Sequence, residues 1–512
     1  MANFVFRNSE IGGLDAEFDT FLDECFVETP IYSSLVSFNS TDLDFTKRII
    51  IGRTGSGKTA LIKKLSNDDR IKKHSKIEAE SMIFEHIKNN TFVNSLIQSG
   101  IDLRIFYKSL WLHILLIETI KIIYPRENSF LEKVHSLLGK KTSNAARLAN
   151  EYIDKYEDSF FNDKIISEIT EKMQSDLKGS IGGQLASLTG GASAETIKKI
   201  QSETAKYVNT ELIKKQKELI SILAEEHDRE SQHKLLISID DLDKSWLSSS
   251  DIRYDFINAL LDAFKELLSI KTVKILISIR TDIFKGVYSQ NLRQGEKDKS
   301  LIFSICWNEK DIRDMLDKRI HFLIKDQYQG RKVTNLTDIF NFKVENQNAD
   351  EYLIKRTMLR PRDAIDFVNI CFKEADGSTH LVEDHIIMAE EKFYKSRKEA
   401  LIKEWVSIYP NIEIYIDMLS VIIDQKFTIS DIQDNHSTEI LEIGSKISGS
   451  DLVIESCLSD DFKILLDVWF TVGLIGIYKK ESLVLYSTFE MQNLDLTDYK
   501  KSFYIHPLFY RY

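Results

Sequence analysis

A chain of 512 residues can hold two or three domains with cores of their own, and a formal charge of −11 excludes a protein coated along its length by nucleic acid. Hydrophobic residues make up 43% and charged residues 29%, an ordinary globular balance, and only five prolines favour helices over long linkers. The four cysteines, Cys25, Cys306, Cys371 and Cys457, have no metal-ligand spacing and suit a reduced, cytoplasmic protein, with no signal-peptide layout at the N-terminus.

In chain order, residues 1–44 read as an acidic helical segment, and 47–51 as a short strand running into a glycine loop followed by a helix over 60–65. Residues 90–230 carry a nearly all-helical pattern. Its most apolar stretch, 105–124, contains Lys108, His113, Glu118 and Lys121, which argues for a buried helix and against a membrane span. A Gly/Ser/Ala-rich stretch over 179–192 reads as a loop. Beyond it, Ile197, Ile200, Thr204, Val208, Leu212 and Ile213 form an apolar stripe on a long helix over 194–226. Packing on its own core is the favoured use of that stripe, ahead of a partner surface.

Apolar strands follow at 235–239, 273–279 and 301–306, with an amphipathic helix over 254–268 between the first two. Short apolar strands alternating with helices indicate an α/β fold, a parallel sheet covered on both faces. The expected organisation is an N-terminal segment (1–44), a core (45–308) with the helical insertion, a helical lid (309–400) and a C-terminal domain (401–512). That last domain mixes helices with strand-like runs at 483–486 and 503–506.

Residues 52–59, Gly-Arg-Thr-Gly-Ser-Gly-Lys-Thr, have the spacing of a P-loop (Walker A). Gly52, Gly55 and Gly57 let the backbone curl so that the N–H groups of Arg53, Thr54 and Ser56 onward can meet phosphate oxygens. Lys58 supplies a point charge, Thr59 a hydroxyl for Mg²⁺, and Ala60 continues the helix whose positive end faces the site. A strand before and a helix after are the context this pattern needs. The strand at 235–239 ends in Asp240 and Asp241, the form of a Walker B strand. Asp240 suits the metal and Asp241 a general base or water-positioning carboxylate, with Asp243 a less secure candidate that can serve as a helix cap. Arg280, at the end of the next strand, either senses the terminal phosphate or pairs with Asp282 or Asp240. Arg360 and Arg362 open a helix in the sequence Arg-Pro-Arg-Asp and can reach back to the nucleotide or simply mark a solvated helix start. The cofactors expected are ATP and Mg²⁺.

This series of motifs resembles the additional-strand P-loop ATPases, nearest to the KAP, STAND and origin-recognition-type AAA+ members. It most resembles a little-characterised bacterial P-loop ATPase family with an acidic Ala-Glu segment (here Ala16 and Glu17) and a Cys-Phe-Val-Glu-Thr run (25–29). That family continues with Gly-Arg-x-Gly-Ser-Gly-Lys-Thr-Ala (52–60) and a helix bearing Trp307, Asp311, Ile312, Arg319 and Ile320. The resemblance covers about 10–75 and 230–375. It implies an AAA+-like ATPase core, a helical lid, a winged-helix-like end and a setting in bacterial antiviral defence. Asp241 departs from the glutamate that many relatives carry, which implies slower turnover.

The function expected is a nucleotide-driven switch or assembly engine working as a homo-oligomer, with a separate effector protein, or both, and without a membrane. Arg313 and Arg319 are candidates for an arginine supplied to a neighbouring subunit. A DNA-associated loader and an ATP-holding scaffold with little turnover are the alternatives. The acid excess over 404–476 argues against DNA, because a helix reading a duplex presents Lys and Arg. The segment 460–469 is acidic and apolar instead, and His506 reads as a packed residue.

Overall fold

The computed structural model describes residues 5–36, 47–78, 90–124, 143–156, 171, 173–179, 193–227, 235–240, 242, 250–290, 299–328, 334–480 and 483–510. Its architecture is α/β. Five strands, β1 (Ile49–Gly52), β2 (Lys73–Glu78), β3 (Leu235–Asp240), β4 (Val273–Arg280) and β5 (Ile302–Ser304), lie in the order β2-β3-β4-β1-β5, and every pairing is parallel. The runs Ile-Ile-Ile in β1 and Leu-Leu-Ile-Ser-Ile in β3 are buried throughout, as a sheet covered on both faces requires.

Alternate residues divide between two cores, because successive side chains of a strand point to opposite faces. Ile49, Ile51, Ile237 and Ile239 join the large core with the helices Arg104–Ile123 and Ser250–Leu267. Ile50, Leu236 and Leu276 face Leu61 and Leu65 of the helix Lys58–Ser66, together with Tyr32 and Leu35. The strand β2 had no counterpart in the sequence reading. It reads Lys-His-Ser-Lys-Ile-Glu and sits at the sheet edge, where one neighbour and partial burial remove the need for an apolar run.

The insertion is helical over its described residues, and Ile200, Val208, Leu212 and Ile213 of the stripe belong to the large core. The helix at 194–227 is continuous except for a π-helical turn at Val208–Ile213. Residues 180–192 of the Gly/Ser/Ala-rich stretch lie outside the described residues. Among the described residues no helix is long and apolar enough to cross a membrane.

Two expectations need correction. The segment 1–44 is not one helix: its described residues are mostly turns and extended chain, with the short helices Leu22–Cys25 and Pro30–Leu35. Gly12 and Gly13 interrupt it early, and Asp19 spends its carboxylate on the Gly13 and Phe21 N–H groups, closing a turn where a helix would need regular backbone pairing. The boundary at 400 falls inside the helix Glu383–Trp405, and one continuous core runs from Ile312 to Phe509. Residues 309–400 also contain a small hairpin, β6 (Lys343–Val344) with β7 (Gln347–Asn348). The C-terminal part packs helices, among them Lys463–Val472, on a four-stranded antiparallel sheet of β8 (Lys426–Phe427), β9 (Ile475–Lys480), β10 (Leu483–Leu485) and β11 (Phe503–Ile505).

Candidate functional site

The loop between β1 and the helix Lys58–Ser66 is a cradle whose carbonyls are tied down. Lys58 Nζ donates to the Gly52 and Arg53 carbonyls at 3.0 and 3.1 Å. Arg360 Nη1 donates to Thr54 O at 3.2 Å, the Arg362 backbone N–H to Gly55 O at 3.2 Å, and Trp307 Nε1 to Ser56 O at 2.9 Å. Two of the loop's own donors are also occupied: the Thr54 N–H by Glu404 Oε1 at 3.3 Å and the Ser56 N–H by the Arg53 carbonyl at 3.1 Å. Gly55 and Gly57 have φ of +79° and +93°, the left-handed conformation that other residues adopt only at a cost of about 1–2 kcal/mol. Gly57 is the N-cap and offers no side-chain acceptor to the first turn of the helix, whose positive end faces the site. The buried Ser56 Oγ makes no hydrogen bond.

Below the cradle, Thr59 Oγ1 donates to Asp240 Oδ2 at 2.8 Å. The two residues meet because β4 spaces β3 one strand away from β1, and each polar group lies at the C-terminal end of a strand or just past it. Asp241 and Asp243 lie outside the described residues. The orphan Ser56 hydroxyl, the helix N-terminus without a side-chain cap and the Thr59–Asp240 pair fit a nucleotide polyphosphate with its magnesium. Gly52, Thr54, Ser56 and Ala60 hold or line the cradle, Lys58 lies across it, and Thr59 and Asp240 are the two groups suited to the metal.

The arginines are arranged less simply. Arg280, the register partner of Gly52, makes a two-pronged ion pair with Asp282 at 2.9 and 2.7 Å, one of the alternatives open from sequence, while still lining the cavity. Arg362 lines the cavity and donates through Nε to Leu14 O at 3.1 Å. Arg360 and Arg53 turn to the outer side of the loop. Both meet Glu404, at 3.2 and 3.6 Å. Glu404 Oε1 also accepts the Thr54 N–H at 3.3 Å, and its backbone carbonyl accepts from Arg280 at 3.2 Å. Burial pushes the Glu404 pKa up, but Arg360, Arg53 and Arg280 outweigh that and hold it at about 2. Arg319 is buried in an ion pair with Asp19 at 2.6 Å and donates to Ile11 O, so it is not displayed to a neighbouring subunit; Arg313 pairs with Asp350 at 2.5 Å.

A cavity of about 270 Å³ opens beside the cradle. Its other walls are the segment 13–31 and the helices Glu309–Tyr328 and Pro361–Glu374. Lys63 of the phosphate-loop helix holds the N-terminal segment through the Ala16 and Glu17 carbonyls at 2.9 and 3.0 Å. Sequence reasoning missed three participants. Ser278 stands two residues before Arg280 on the same face of β4, and its buried hydroxyl has no hydrogen bond. Trp307 appeared only as part of a resemblance, and Glu404 only as one acid among many. The even spacing of Ser278 and Arg280 along one strand was a usable signal; nothing local marks the other two.

Residues 310–402 match the model of the FunZ-associated C-terminal helical domain, the segment that carries Arg319, Arg360 and Arg362. No curated protein and no solved structure matches the chain.

Proposed function

We infer that the chain is a Mg²⁺-dependent ATPase of the additional-strand P-loop type, acting as a nucleotide-driven switch. The observation that carries this reading is the contact of Thr59 with Asp240 beneath a glycine loop that lines a cavity. The order β5-β1-β4-β3-β2 supports it, since one strand separates the loop-bearing strand from the acid-bearing one. In this reading ATP supplies the phosphoanhydride bond and Mg²⁺ its charge neutralisation. The chain's residues do the rest: the loop N–H groups and Lys58 bind phosphates, Thr59 and Asp240 hold the metal, and Asp241 orients water. The segment 13–31 and the lid close the cavity against solvent. The C-terminal region, with its helices and small sheet, serves as a winged-helix-like contact domain for protein partners in a bacterial defence setting.

Phosphate release and fluorescent-ATP binding test this reading in wild type, Lys58→Ala and Asp241→Asn. Binding lost in Lys58→Ala and release lost in Asp241→Asn are expected. Equal phosphate release in all three alongside intact wild-type binding supports an ATP-holding scaffold, and absence of binding in wild type overturns the nucleotide reading.

A further inference from the structure

Glu404 lies 345 residues beyond the end of the phosphate loop and touches that loop through Arg53 and the Thr54 N–H. It is 3% exposed and sits one residue before the end of the helix Glu383–Trp405. Arg53, Arg280, Arg360 and Arg397 are gathered here around the carboxylates of Glu404, Asp282 and Asp363, with Asp366 also within electrostatic reach of Arg397. Arg53 Nε and Arg360 Nε and Nη2 are buried and make no hydrogen bond. Arg53 Nε and Arg360 Nε still face Glu404 and Asp363 at ion-pair distances of 3.6 and 4.0 Å, and Glu404 takes the N–H of Thr54, a cavity-lining donor that a phosphate oxygen would also satisfy.

Arg53 also reaches into the C-terminal region. Its Nη2 donates to Val472 O at 2.6 Å, at the end of the helix Lys463–Val472, and its guanidinium lies 5.8 Å from the centre of the Trp405 ring. A cation belongs at that end of a helix, where carbonyls are left unpaired. The following residue, Gly473, has φ +91°, and a Cβ there would stand 2.7 Å from Arg53 Nη1. The chain is shaped at both ends of this contact.

We propose that Glu404 is an internal counter-anion of the phosphate site, a positioning residue that holds Arg53 and Arg360 on the C-terminal region and occupies the Thr54 N–H until a nucleotide phosphate competes for that donor. Filling the cradle then loosens the contact between the loop and residues 463–473, so nucleotide state is passed to the C-terminal region. This rests on reading 52–59 as a nucleotide site. Linkage makes the effect reciprocal: whatever weakens the Glu404 hold strengthens nucleotide binding. A carboxylate fixed on a phosphate-binding loop also repels an incoming polyphosphate, which gives the same sign.

The test uses the full chain and fluorescent ATP with Mg²⁺. Glu404→Gln keeps the shape and removes the charge; it is expected to bind about fivefold or more tightly than wild type, while Glu404→Asp stays close to wild type. Its melting temperature falls without nucleotide and recovers by a larger increment when ATP is added. A merely structural glutamate would lower both temperatures alike and leave affinity unchanged or weaker, and that result overturns the proposal. If Glu404→Gln does not fold, hydrogen exchange in wild type decides. Faster exchange at 463–473 on adding ATP supports the proposal, and unchanged or slower exchange there overturns it. Absence of ATP binding in wild type would be a failure of the nucleotide reading itself, and is seen before any variant is compared.

Discussion

The Thr59 hydroxyl donates to Asp240 at 2.8 Å across 181 positions of sequence, joining the first turn of the phosphate-loop helix to the end of β3. A neutral hydroxyl and a buried carboxylate in contact make a half-built metal site, because one oxygen of each can ligate a hard divalent cation. Asp240→Asn keeps the hydrogen-bond shape and removes the charge. Expected is the loss of the Mg²⁺-dependent part of ATP affinity, about tenfold or ~1.4 kcal/mol, read by titrating fluorescent ATP with and without Mg²⁺. An equal Mg²⁺ effect in both proteins would separate Asp240 from the metal.

Trp307 closes the cradle from above by donating to the Ser56 carbonyl. In Trp307→Phe the ring volume is largely kept and the donor is lost, leaving an unsatisfied carbonyl at a cost of about 1–3 kcal/mol. We expect weaker nucleotide binding with a small drop in melting temperature. Wild-type tryptophan fluorescence should change on adding ATP, and that change should shrink in the variant. A variant that retains the full fluorescence response would place the reporter elsewhere.

The ion pair of Arg319 with Asp19 is almost fully buried and ties the N-terminal segment to the helix Glu309–Tyr328. Removing one partner strands the other charge, so Asp19→Ala should cost about 3–5 kcal/mol in urea unfolding. Because residues 13–31 wall the cavity, ATP affinity should fall as well. Unchanged affinity in a destabilised variant would show that this wall does not touch the ligand.

Burial depresses the pKa of His113 and of His506 from 6.5 to about 3; for His506, Arg356, Arg360 and Arg53 add to the effect. Both are neutral in the fold, while the unfolded chain takes up a proton below about pH 6.5. Their contribution is therefore complete above that pH and lost progressively as pH falls toward 3. At pH 5 the loss is roughly 2 kcal/mol for each. Chemical denaturation at pH 7.5 and pH 5 should show this fall, and His506→Asn should flatten it. A midpoint independent of pH over that range would contradict the burial of these rings.

Lys285 bridges the core and the C-terminal region, donating to Tyr409, Thr471 and Asn493, and burial lowers its pKa to about 8. A lysine with a lowered pKa stays charged in the unfolded chain after the folded one has lost its proton. Stability should therefore rise with pH between about 8 and 10.5, an increase that Lys285→Met abolishes in the same denaturation series.

Some of this protein is written locally. Glycines at 52, 55 and 57, a lysine and threonine after them, and apolar runs ending in Asp240 and Arg280 state a strand, a turn and a helix through backbone freedom and periodicity. Those signals act over a few residues, so the sequence alone determined the glycine loop and the strands that frame it. It did not determine the company they keep. The edge strand β2 is set by its pairing with β3, because its own residues, Lys-His-Ser-Lys-Ile-Glu, carry no apolar run. Arg280 fell to Asp282, and Arg360 and Arg53 to Glu404, because burial of a guanidinium selects whichever carboxylate the packed elements bring near. Glu404 carries no motif and is one acid in a long helix. Only the docking of that helix against the phosphate loop, a tertiary event between segments far apart in the chain, gives it three arginines to hold.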